Sequence, residues 1–129
     1  MKLDYELVRK LLIYVEENIN FGGCKDTDII AAELDAPQRD VKYTAVKLQE
    51  AGFLILNTAD WATPVQVSHI CNIYGLTFAG HEYLNAIKNN SVWSKIVKSI
   101  IHNGGAFTFQ LVGSAAKVII EQGLLSGIS

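Results

Sequence analysis

The chain has 129 residues and a mass of 14.2 kDa; 50% of it is hydrophobic, 19% is charged, and the mean hydropathy is +0.21. That balance excludes an intrinsically disordered chain, and the length is that of one ordinary domain. Eleven Lys and Arg against thirteen Asp and Glu give a net charge of −2, which excludes a nucleic-acid binder working through bulk positive charge but leaves room for a small basic patch.

Met1 to Glu6 turn acidic at once, with no basic segment followed by an apolar one, so no signal peptide is expected. No run approaches the twenty or so apolar residues that a bilayer span needs, so no membrane partner is expected. Two cysteines, Cys24 and Cys71, in a chain without a leader read as free thiols, and the cytoplasm is the simplest location.

The first helix is predicted over Asp4 to Asn20. Leu7, Val8, Leu11, Tyr14, Val15 and Ile19 recur at steps of three and four and form its core face. Phe21-Gly22-Gly23 is expected to stop it through a left-handed glycine. A short second helix begins at Asp26 or Thr27 and carries Ile29, Ile30 and Leu34. Asp35-Ala36 makes a tight break, and Pro37 suits the first position of a third helix that runs to Ala51 and is stopped by Gly52. Val41, Ala45 and Leu48 should face inward, leaving Arg39, Lys42, Tyr43 and Lys47 outward.

Phe53 to Leu56 reads as a short strand, and the period of two from Val65 to Tyr74 as a second, half-buried one. Together they are expected to form a hairpin. Thr77 caps a fourth helix to Ile87, Asn89-Asn90-Ser91 caps a fifth with an apolar band from Val92 to Ile101, and Thr108 caps a sixth to about Gln122. Three helices, a hairpin and a fourth helix are the order of a winged helix-turn-helix. The expected fold is therefore mainly α with a small antiparallel hairpin (α+β), a winged helix with two extra C-terminal helices. Residues 1–90 would form the winged part and residues 91–129 a helical extension packed on it.

Two segments carry a resemblance. One is Leu3-Asp4-Tyr5-Glu6-Leu7-Val8-Arg9-Lys10-Leu11-Leu12; the other runs from Leu76-Thr77-Phe78-Ala79-Gly80-His81-Glu82-Tyr83-Leu84 to Val92-Trp93. With Tyr43 and Leu48-Gln49-Glu50-Ala51-Gly52-Phe53-Leu54 between them, they resemble the Domain of Unknown Function 2513 family of phages, prophages and Gram-positive bacteria. The chain departs from the family's pattern at Phe78, Tyr83, Asn85 and Lys88, where Trp, Phe, Asp and Arg are expected. The aromatic changes keep packing, whereas Asn85 and Lys88 lose an acid–arginine pair. The resemblance implies a winged-helix-like fold and a mobile-element setting, and no chemistry.

DNA recognition asks for basic or amide side chains at outward positions of the third helix. Gln38, Arg39, Lys42, Tyr43 and Lys47 meet that need, and duplex DNA is the partner they imply. Against it, residues 1–50 hold seven basic and ten acidic side chains, and residues 53–74 carry Asp60 as their one charge. A wing on a DNA backbone normally brings a cation. The rival reading is a protein-recognition module on the same scaffold. Its candidate contacts are Trp61 near the hairpin tip and Val112, Ala116, Ile119 and Ile120 on the last helix, whose apolar residues cover more than one face and point to a homodimer. No ligand spacing for a metal, no phosphate loop and no catalytic dyad is visible, so the expectation is a non-enzyme without cofactor, metal or evident small-molecule ligand.

Overall fold

The computed structural model describes residues 1–57 and 71–128. Among these residues, six helices and a small three-stranded antiparallel sheet make an α+β fold. The order is α1 (Tyr5–Asn18), β1 (Lys25–Asp26), α2 (Thr27–Leu34), α3 (Gln38–Glu50), β2 (Leu54–Leu56), β3 (Asn72–Leu76), α4 (Phe78–Ile87), α5 (Asn90–His102) and α6 (Phe109–Ile128). Two compact units divide the chain, Met1–His81 and Glu82–Ser129.

In the first unit, Asp4 caps α1 by accepting hydrogen bonds from the Glu6 and Leu7 amides at 2.9 and 3.3 Å. Such a cap stabilises a helix by about 1 kcal/mol. Leu7, Val8, Leu11, Tyr14 and Val15 are buried as their spacing predicts, and Leu12 joins them. The helix ends before the glycines do. Ile19 takes an extended backbone directly after Asn18, and Gly22, at φ 87°, serves the turn that follows. Asp26 caps α2 through the Asp28 amide at 2.8 Å. Tyr14 donates its hydroxyl to Glu33, and Lys25 lies 3.8 Å from Glu33 and 5.6 Å from the Tyr14 ring centre. That group ties α1, β1 and α2 together, and burial followed by the Glu33 bond raises the Tyr14 pKa above its usual value.

The sheet order is β1-β3-β2. β1 is only two residues long, paired Lys25 to Ile73 and Asp26 to Asn72, which is too short to leave a pattern in the sequence. β2 and β3 pair Leu54 to Leu76 and Ile55 to Gly75, and the register then shifts so that Leu56 meets Ile73. Tyr74 is thereby the extra residue of a bulge. β3 extends two residues past the predicted end at Tyr74, and Val65 to Ile70 lie outside the described residues. Cys71 and Ile73 are fully buried on the inner face.

The turn into α4 is the tightest junction of the first unit. The Thr77 amide donates to the Phe53 carbonyl at 3.0 Å, and its hydroxyl donates to the Gly52 carbonyl. That same hydroxyl accepts from the Gly80 amide at 3.0 Å, which caps α4. A Cβ on Gly80 would stand 2.1 Å from the Phe53 carbonyl oxygen, so only glycine lets the first turn of α4 come this close.

In the second unit, Asn89 caps α5 through the Val92 amide at 3.1 Å, and Thr108 caps α6 through the Leu111 amide at 3.0 Å. α5 and α6 pack on each other, and Leu84, Ile87, Trp93, Ile96, Ile100, Val112 and Ala116 are buried. Tyr83 meets Phe109 edge to face with ring centres 5.4 Å apart. α6 runs to Ile128, past the predicted end near Gln122.

Replacing Gly80 by Ala should lower stability by about 2–4 kcal/mol, because the obstructing atom is backbone and cannot step aside. Urea denaturation of the two proteins measures this; equal midpoints would contradict the close approach.

Candidate nucleic-acid interface

α2 and α3 are joined by a turn of three residues. Asp35 adopts the left-handed conformation at φ 53°, unusual for a residue with a Cβ, and closes α2. The Ala36 amide reaches back to the Ala31 carbonyl at 2.9 Å. Pro37 stands one position earlier than expected, as the N-cap of α3 rather than its first residue, and offers no side-chain cap. Val41, Ala45 and Leu48 are fully buried and fix the inward face.

The five residues predicted to face outward divide. Gln38 and Arg39 are exposed in the first turn of α3. Tyr43 is half-buried, and its hydroxyl donates to the Met1 carbonyl at 3.2 Å. Lys47 sits 2.9 Å from Glu50 and 5.5 Å from the centre of the Tyr43 ring. The hydrogen bond to Glu50 raises the Lys47 pKa above its usual value, so its charge is held but already partnered.

Lys42 departs from expectation: it is buried, with 4% of its surface exposed. One helical step is about 100°, which sets Lys42 beside the buried stripe rather than opposite it. There its stem is covered by the protein. Its charge acts on the Cys71 thiol, just ahead of β3. Burial pushes that thiol's pKa up, and Lys42 and the Thr27 hydroxyl pull the other way. Lys42 therefore belongs to the covered side of α3, and it leaves the outward set.

The sequence reading missed the first residues of the chain. Tyr43 donates to the Met1 carbonyl, so the start of the chain reaches α3, and the neighbouring Lys2 is exposed. No sequence pattern signals such a contact over forty-two positions.

The candidate partner-binding residues need correction too. Val112 and Ala116 are fully buried within the single chain, because the face of α6 that carries them is used in the core. Ile119 and Ile120 are half-buried. Among the described side chains, α5 and α6 leave the large apolar residues Ile101, Leu111, Val118 and Leu124 exposed. Trp61, Pro64 and His69 lie outside the described residues. Cys24 is an exposed free thiol and Cys71 a buried one. His81 is paired not with its sequence neighbour Glu82 but with Glu16, at 3.7 Å. Among the described residues no three His, Cys, Asp or Glu side chains are grouped to hold a metal ion, and no helix is long and apolar enough to cross a membrane.

Residues 2–106 match the family model described as Hypothetical protein (DUF2513). The chain belongs to that family. An uncharacterized protein of Haemophilus influenzae is 27% identical over 122 residues, which cover 95% of this chain and 98% of the relative. No solved structure matches. The match to the DUF2513 model takes in the first unit from Lys2 onward. Within the Leu76-Thr77-Phe78-Ala79-Gly80-His81-Glu82 segment of the resemblance, Thr77 and Gly80 are a structural device that joins α4 to the turn after α3.

Truncation separates the two kinds of cation on α3. Lys42→Ala should cost about 1–2 kcal/mol through lost burial of its stem, while Arg39→Ala should stay within about 0.5 kcal/mol. Urea midpoints compare them; equal effects would contradict the burial of Lys42.

Proposed function

We propose that the first unit is a winged helix-turn-helix and that the protein is a small, non-enzymatic, DNA-binding regulator of phage or prophage type, acting in the cytoplasm. The observation that carries this reading is the pair Gln38 and Arg39, exposed in the first turn of α3 directly after the tight Asp35 turn. The N-terminal end of a recognition helix is the part that meets base edges. The element order and the β1-β3-β2 sheet support the winged arrangement. Lys2, held near α3 through Tyr43, adds a cation suited to a phosphate. Two copies joined through the exposed Leu111 and Val118, with Ile119 and Ile120 beside them, would present two such helices to two half-sites.

A second reading is favoured by the partnering of Lys47 with Glu50 and the burial of Lys42, which leave α3 with little free positive charge. On it, the same scaffold recognises a protein and touches no nucleic acid.

Salt dependence decides between them. With Lys2 and Arg39 as phosphate contacts, affinity for duplex DNA should fall roughly tenfold between 50 and 200 mM salt, and Arg39→Ala should lower the log–log slope by about 1. Fluorescence anisotropy with a labelled duplex measures both. A folded protein that binds no duplex at 50 mM salt would remove the DNA reading and leave protein recognition standing.

A further inference from the structure

A cavity of about 350 Å³ opens on the first unit between the end of α1, the Phe21-Gly22-Gly23 turn and the β2–β3 pair. Its size is that of a small-molecule site, at the lower end of the usual range. Three features set it apart from an ordinary surface dent.

The first is Gly75. Within a strand, glycine weakens pairing and leaves nothing to pack, and it marks either a bulge, such as the one at the neighbouring Tyr74, or a place where a ligand comes close to the backbone. Neither backbone nor packing calls for glycine at this position. Its φ is outside the left-handed region, and an added Cβ would meet nothing within 4 Å. Gly75 pairs with Ile55 and lines the cavity, so its missing side chain keeps this part of the sheet open.

The second is the apolar material left uncovered around it. Phe21 is wholly exposed, Ile55 is 49% exposed and Tyr74, the bulge residue, is 42% exposed, and all three line the cavity. The third is polar. Glu16 lines the same cavity with His81, the two side chains 3.7 Å apart. Glu16 is the one carboxylate among the described lining residues.

We propose that this cavity binds a small arylalkylammonium compound, its aromatic ring against Phe21, Tyr74 and the bare backbone of Gly75, and its cationic nitrogen on the Glu16 carboxylate. Exposed aromatic faces attract both flat rings and cations. The Glu16 carboxylate, which an ammonium would share with His81, favours a cation, repels an acid and gives a neutral ring no charged partner. None of these residues lies on α3, so the inference is independent of the DNA reading.

Three compounds that share an indole ring test it: tryptamine as the cation, indole as the neutral form and indole-3-acetate as the anion. The readout is the amide spectrum of the 15N-labelled full chain. Tryptamine should shift the Gly22, Gly23 and Gly75 amides saturably, indole should bind about tenfold more weakly, and indole-3-acetate more weakly still. Glu16→Gln should bring tryptamine down to the level of indole. Gly75→Val should abolish binding of both while leaving the melting temperature unchanged or higher. Equal binding of the three compounds, no saturable shift with millimolar tryptamine, shifts centred elsewhere, or a Gly75→Val protein that melts earlier would each overturn the proposal.

Discussion

The first unit depends on how closely the start of α4 approaches the turn after α3. Gly80 rests its backbone on the Phe53 carbonyl, where a methyl group would be 2.1 Å away, and Thr77 bonds to both Gly52 and Phe53 while capping α4. These bonds join the beginning of β2 to the end of β3. They therefore set the pairing of Leu54 with Leu76, and Ile55 with Gly75 follows in the same register. The end of α3 is fixed by the same junction, because Gly52, at φ 85°, leads straight from the helix into it, and the Phe53 amide bonds back to Leu48.

Much of this architecture is written locally. Asp4, Asp26, Thr77, Asn89 and Thr108 are side chains with an acceptor oxygen just ahead of apolar periodic runs, and each caps a helix in the structure. Capping and periodicity are short-range, so one sequence suffices to read them. Three features escape such reading. β1 is two residues long and exists only because β3 lies beside it. The end of α1 is set by Ile19 turning extended, not by the glycines that follow. The Gly80 contact is between residues twenty-seven positions apart, so the glycine looks like an ordinary member of a helical stripe until the fold brings the Phe53 carbonyl to it.

The same distinction governs the candidate interface. Residue type and spacing gave five side chains on α3, but the flanks of a helical stripe are settled by what packs against them. Lys42 lies on such a flank and is covered, with its charge beside Cys71. Lys47 is exposed enough to meet a partner and already has one in Glu50. Gln38 and Arg39 survive because both are exposed in the first turn of α3. On α6 the error has the same origin: Val112 and Ala116 are apolar because they are inside the chain, and the exposed residues are Leu111 and Val118. A surfeit of apolar residues on a helix tells that two faces are used without telling which face is internal.

The central claim is that the first turn of α3, held by the α4 junction, is the part of the molecule that meets duplex DNA. Mapping backbone amide shifts during titration with a duplex at low salt tests it most directly. The account predicts shifts centred on Gln38, Arg39 and the Asp35 turn, with Lys2 included and α6 silent. Shifts centred on α6, or none at all in a folded sample, would contradict it.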